Sequence, residues 1–167
     1  MSQVVVMGVT GCGKSTVGLL LAHALEVPFV DGDSLHPQAN IDKMAQLIPL
    51  TDEDRWPWLV DVGAWLAEHR TGGVVACSAL KRSYREAIRA SAPNVVFVHL
   101  AAPQQVLEER VRTRAIAEGH FAGPGLLDSQ YMALEDLTPD EGGLVIDVTT
   151  TSAPAVAQAA ATEIAGR

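Results

Sequence analysis

The sequence predicts an α/β fold in which a parallel five-stranded sheet lies between layers of helices. Three observations carry that prediction. Short apolar runs alternate with helix-period segments along the chain, as repeated strand–helix units require. The runs are apolar throughout rather than every second residue, so their strands are buried on both faces. A glycine-rich phosphate-binding loop, Gly8-Val9-Thr10-Gly11-Cys12-Gly13-Lys14-Ser15, joins the first run to the first helix.

The elements follow in order. Gln3-Val4-Val5-Val6-Met7 is the first strand, and Val17, Leu20, Leu21, Ala24 and Leu25 recur at helical spacing after it. Pro28-Phe29-Val30 is a brief second strand that ends in the polar loop 31–37. Pro37 opens a helix to about Leu47, since its missing N–H costs nothing at that position. Thr51, with Asp54 three residues on, caps a helix carrying Trp58, Val62, Trp65 and Leu66. Gly72-Gly73 stops it, and Val74-Val75-Ala76-Cys77 reads as a buried strand. A helix over Leu80–Ala90, a strand over Val95–Leu100 and a helix over Pro103–Ala115 come next. A glycine-rich segment then leads to a helix near Leu126–Leu137, a last strand at Leu144–Val148 and a closing helix at Ala153–Ala165.

Composition bounds the rest. The 167 residues suit one domain, with no repeat or linker to divide them. A net charge of −8 argues against nucleic-acid binding, which needs a basic face. No apolar stretch is long enough to span a bilayer, and no signal peptide is expected. Cys12 and Cys77 lack metal-ligand spacing and suggest no disulfide framework. A cytoplasmic location and a small-molecule substrate, without membrane or nucleic-acid partners, are the expectation.

The loop at 8–15 predicts binding of a nucleoside triphosphate. Its glycines let successive backbone N–H groups point at one phosphate, and the following helix adds its positive dipole end. Lys14 reaches the β- and γ-phosphates, and Ser15, with Thr16 beside it, stands where a Mg²⁺ ligand belongs. Cys12 shares this electropositive setting beside Lys14, which predicts a lowered thiol pKa and reactivity. The alternative is a sulfur packed between sheet and helix, and inert.

Ligands of such sheets gather at the carboxyl ends of the strands, so the loops at 8–15, 31–37 and 77–82 should converge. Asp31 and Asp33 then face the γ-phosphate. A kinase needs a carboxylate to orient and deprotonate an acceptor hydroxyl, and oxygen ligands for Mg²⁺. The pair could supply both, with Asp31 expected at the metal; a turn that merely caps the next helix is the competing reading. Neither the strand ending at Cys77 nor that ending at Leu100 carries an aspartate in the metal-binding position of motor ATPases and GTPases. The Asp31/Asp33 pair would make good that shortfall.

Basic residues are scarce and cluster. Lys81 and Arg85 are four apart, which predicts one helix face, and so are Arg110 and Arg114. The latter pair precedes Glu118-Gly119-His120-Phe121-Ala122-Gly123-Pro124-Gly125, read as part of a mobile lid over about 116–130 whose arginines close on the transferring phosphoryl group.

Several blocks together resemble the small gluconokinases. They are Asp31-Gly32-Asp33-x-x-His36-Pro37-x-x-Asn40-x-x-Lys43-Met44, Pro49-Leu50-Thr51-Asp52-x-Asp54-Arg55-x-Pro57-Trp58-Leu59 and Cys77-Ser78-Ala79-Leu80-Lys81-Arg82-x-Tyr84-Arg85. Gly119-His120-Phe121 and Leu126-Leu127-x-Ser129-Gln130 continue the match. The resemblance implies a P-loop kinase fold akin to shikimate and adenylate kinases, phosphorylation of D-gluconate with MgATP, and often a homodimer. It implies Asp33 as the acceptor-binding acid and Arg55 and Lys81 as substrate-site positions. His36, Arg85 and His120 complete the expected substrate set. The alternatives are a kinase for another small hydroxy-acid, such as a shikimate-like one, or a nucleotide-binding module without catalysis.

Overall fold

In the computed structural model, which describes residues 2–118 and 125–167, β1 (Gln3–Met7) occupies the centre of a five-stranded sheet. It pairs in parallel with β3 (Gly73–Ala76) on one side and β4 (Val96–Ala101) on the other. The short β2 (Phe29–Asp31) and β5 (Leu144–Asp147) form the edges, again parallel. Of the predicted lid over 116–130, residues 119–124, His120 among them, fall outside the described residues; 116–118 and 125–130 are helical.

Uniformly apolar strands make sense once both sheet faces are covered. Val4 and Val6 of β1 point into a core shared with α1 (Lys14–Leu25) and α7 (Ala153–Ala165). Val5 and Met7 point the other way, into a core built with α3 (Asp52–Glu68) and α4 (Arg82–Ser91). The period of two divides one apolar run between two cores. Thr51 and Asp54 form the capping box that starts α3, as their spacing predicts.

Several boundaries depart from expectation, three of them near the site. α2 (Gln38–Ala45) stops short of Leu47, whose φ of 58° is left-handed. The helix expected from Leu80 begins only at Arg82, because 77–81 runs on as a loop with Ala79 at φ 45°. α6 (Gly125–Ala133) ends before Leu134, where the chain turns away so that the Glu135 N–H donates to the Leu80 carbonyl. A 3₁₀ turn at Pro139–Glu141, with its own capping box from Thr138, then leads into β5.

Candidate active site

The phosphate-binding loop leaves β1 and enters α1 through Gly13, whose φ of 96° only glycine adopts freely. Gly13 supplies no side-chain cap, so the first N–H groups of α1 carry no competing carboxylate or hydroxyl cap. The Lys14 ammonium donates to the Val9 carbonyl over 3.2 Å, folded across the loop. Ser15 and Thr16 are exposed on the first turn of α1. The Gly8 N–H donates to the Ser78 carbonyl, tying the first loop to the third. The Thr10 N–H donates to Oε1 of Gln130 on α6 over 2.6 Å.

Cys12 corrects one expectation. The side chain is buried within the sheet–helix core, and burial pushes its thiol pKa up against the opposing pull of Lys14 and the loop N–H groups. Desolvation outweighs the local positive field.

The second loop reaches the first where the Ser15 hydroxyl donates to Asp31 Oδ2 over 2.7 Å. The other Asp31 oxygen accepts the Asp33 N–H at 3.0 Å and caps a 3₁₀ turn over Gly32–Leu35. The capping and the site readings of Asp31 are therefore compatible, one oxygen serving each. Gly32 fits tightly against β3; a Cβ there would lie 2.5 Å from the Ala76 carbonyl oxygen. Asp33 is exposed on this turn.

His36 stacks on Trp58, ring centroids 4.1 Å apart. The Asn40 amide nitrogen donates to its Nδ1 at 3.1 Å and to the Asp54 carbonyl at 2.8 Å. Because an amide nitrogen only donates, His36 Nδ1 accepts and the ring proton sits on Nε2. Burial lowers the pKa of this histidine, opposed by the Asp33 charge. The Trp58 indole N–H is anchored on the Gly32 carbonyl at 2.8 Å.

Arg55 and Lys81 come together at the starts of α3 and α4. Asp52 joins them, with Arg55 Nη1 at 3.2 Å from Oδ1 and Lys81 Nζ at 3.8 Å from Oδ2. The Tyr84 hydroxyl donates to Asp52 Oδ1 at 2.5 Å and accepts from Arg55 Nη1 at 3.3 Å. Both cations also lie 5.6 Å from the Tyr84 ring centre. Lys43 pairs separately with Asp54 at 2.7 Å.

Arg85 does not belong to this group, contrary to expectation. Its side chain is 0% exposed and meets the Glu141 carboxylate, itself 1% exposed, two-pronged at 2.7 and 3.1 Å. Its remaining N–H groups donate to the carbonyls of Ala79, Leu80 and Asp136. Every donor of the guanidinium is used within the protein, so Arg85 braces the loops at 77–81 and 134–141. Lys81 is the N-cap of α4 rather than part of it, which is why the two do not share a face.

Arg110 on α5 (Gln104–Glu118) donates to the Val148 and Thr149 carbonyls at 2.6 and 3.1 Å. With Arg114, Val106 and Ala117 it lines an open groove of about 430 Å³. α5 packs on the phosphate loop: a Cβ on Gly11 would lie 2.8 Å from Val111 Cγ2. The expectation of Arg110 reaching toward phosphate meets a residue already holding the loop after β5.

Asp52, Tyr84, Asn40 and Gln130 take parts in the site that no local sequence pattern announces. All fell within the family-like blocks. That was the available signal, since their contacts join segments far apart in the chain.

The family model of shikimate kinase matches residues 10–119. The chain is similar to the thermosensitive gluconokinase of Escherichia coli strain K12, 43% identical over 148 residues, 86% of this chain and 78% of that protein. The gluconokinase of Gluconobacter oxydans strain 621H is 47% identical over 140 residues, 82% of this chain and 77% of that protein. The crystal structure of a gluconokinase from Sinorhizobium meliloti 1021 matches with a TM-score of 0.87 at 45% identity, covering 99% of this chain and 94% of that one.

Proposed function

This chain belongs to the gluconokinases within the shikimate kinase family, and on that premise we propose that it transfers the γ-phosphoryl group of ATP to D-gluconate. The observation that carries this reading is the meeting of two chemistries at one sheet edge. The Ser15–Asp31 bond marks the phosphate end, and the Arg55–Tyr84–Lys81 cluster marks an end suited to a carboxylate.

In this reading the loop N–H groups and Lys14 hold the β- and γ-phosphates. The groove beside Arg110 and Arg114 takes the base end of ATP. The substrate carboxylate docks on Arg55 and Lys81, which aligns its far primary hydroxyl with the γ-phosphorus. That hydroxyl oxygen bonds to phosphorus as the bond to the β,γ-bridging oxygen breaks in line, and its proton passes to the Asp33 carboxylate. The products are 6-phospho-D-gluconate and ADP. His36, held as the Nε2–H form, donates to a substrate hydroxyl.

Ser15 and Asp31 fit Mg²⁺. They offer adjacent hard oxygens, and this ion commonly takes few protein ligands and fills its shell with water and phosphate oxygens. When bound, Mg²⁺ neutralises charge on the β- and γ-phosphate oxygens. A cytoplasmic setting agrees with two free cysteines and with no described helix long and apolar enough to cross a membrane.

ADP release measured with D-gluconate, D-glucitol and shikimate in turn tests the assignment. Release should depend on D-gluconate and be far slower with the other two. Release indifferent to gluconate would overturn it.

A further inference from the structure

We propose that Asp52 sets the acceptor's charge selectivity: it cancels one of the two positive charges at the Arg55–Lys81 cluster, so that the site accepts a head group bearing one negative charge. This inference rests on the reading that Arg55 and Lys81 receive the substrate carboxylate.

The geometry singles out Asp52 among the nearby acids. Asp54, two residues on and so turned to another side of α3, is committed to Lys43, the Thr51 N–H and the capping box. Asp52 alone faces both cations, one through each oxygen. Two positive charges less one negative charge leave a single positive charge at the cluster. All three side chains are between 32% and 40% exposed, so a solute can reach them.

Tyr84 makes the arrangement rigid. Its ring is buried against the α3–α4 core, and its hydroxyl bridges Arg55 and Asp52 by accepting from the first and donating to the second. Arg55 and Asp52 are thereby locked to each other. Lys81, at 3.8 Å, lies beyond hydrogen-bond distance of Asp52 and keeps its donors for the substrate. The N-termini of α3 and α4 also converge here, and their positive dipole ends favour the carboxylates of both Asp52 and the substrate.

A head group with two negative charges meets too little positive charge in this cluster, and a neutral one leaves its cations unmatched. Asp52 thus acts as a positioning and specificity-determining residue.

The test uses three acceptors with the same hydroxyl chain and the same free primary hydroxyl. D-glucitol has an uncharged head, D-gluconate one negative charge, and D-glucitol 1-phosphate a charge of about −1.5 to −2 at pH 7. At saturating MgATP, kcat/KM is measured for each with the unaltered protein, Asp52→Asn, Asp52→Glu and Arg55→Ala. The expected result is that Asp52→Asn raises the ratio of D-glucitol 1-phosphate to D-gluconate by about tenfold, as one net charge is added at close range. Asp52→Glu should return the ratio toward its original value. If turnover of Asp52→Asn is too slow, binding of the three compounds in the presence of a non-transferable ATP analogue reads the same ratio.

A merely structural role would lower all three acceptors together, and that outcome overturns the proposal. If Arg55→Ala lowers the preference for gluconate over glucitol while Asp52→Asn leaves the phosphate-to-carboxylate ratio unchanged, charge matching alone fails. If Arg55→Ala leaves the gluconate-to-glucitol ratio unchanged, the carboxylate reading fails and the proposal falls with it.

Discussion

The Ser15 hydroxyl donates to Asp31 Oδ2 over 2.7 Å, joining the first turn of α1 to the end of β2. Sixteen positions apart in the chain, the two residues meet because β2 and β1 run parallel on either side of β3, so their carboxyl ends lie at the same edge. This bond locates the metal requirement. Asp31→Asn keeps a side chain able to cap the 3₁₀ turn but removes the charge. The Mg²⁺ concentration needed for half-maximal ADP release should rise by roughly 10–100-fold. An unchanged Mg²⁺ titration would exclude Asp31 from the metal's surroundings.

Asp33 is exposed on the same turn, two residues on. As the group that orients the acceptor hydroxyl and takes its proton, it should be needed for turnover and not for nucleotide binding. Asp33→Asn is expected to lower kcat by about 10²–10⁴-fold with little change in KM for ATP. A variant that loses ATP affinity yet turns over normally at saturating ATP would move Asp33 to nucleotide or metal duty.

Much of this site is legible in the sequence because the signals are local. The phosphate loop declares itself through glycine spacing between a strand and a helix, and Thr51–Asp54 through capping-box spacing. The errors come from tertiary effects. Lys81 and Arg85 have the spacing of one helix face, but α4 starts at Arg82 and the buried Glu141 draws Arg85 away from the site. Asp52 and Tyr84 meet across 32 positions, a contact no local pattern announces. Cys12 sits in a positive local field that predicts a thiolate, yet packing from α1 and the sheet decides its ionisation.

Glu141 is the counter-charge of the buried Arg85. Burial alone would raise its carboxyl pKa; Arg85, the Thr138 N–H and Arg89 override that effect and hold it at about 2, below the ordinary 4.5. A carboxyl with a depressed native pKa contributes stability that is complete above 4.5 and fades as pH falls from 4.5 toward 2. Glu141→Ala leaves the Arg85 guanidinium buried without its counter-charge and should destabilise by about 3–5 kcal/mol. Urea unfolding at pH 7 and across the acid range checks both statements. A variant as stable as the parent at pH 7 would contradict the bracing role of the pair.

The raised thiol pKa of Cys12 and its burial predict resistance to oxidation and alkylation in the native protein. Cys77 is buried too, with its pKa pushed up to about 12. Thiol titration should therefore be slow without denaturant and reach both cysteines with it. Peroxide at concentrations that oxidise free thiols should leave activity intact, and Cys12→Ser should behave like the parent. Rapid inactivation that MgATP prevents and Cys12→Ser abolishes would show that the thiol opens to solvent.

Phosphoryl transfer to the primary hydroxyl of D-gluconate is the reaction proposed for this site. Its most direct measurement is ³¹P NMR of the protein with MgATP and D-gluconate. A new phosphomonoester signal coupled to a CH₂ group is expected, growing in step with ADP. Conversion of ATP to ADP and inorganic phosphate, or a phosphoester coupled to a CH group of the chain, would contradict it.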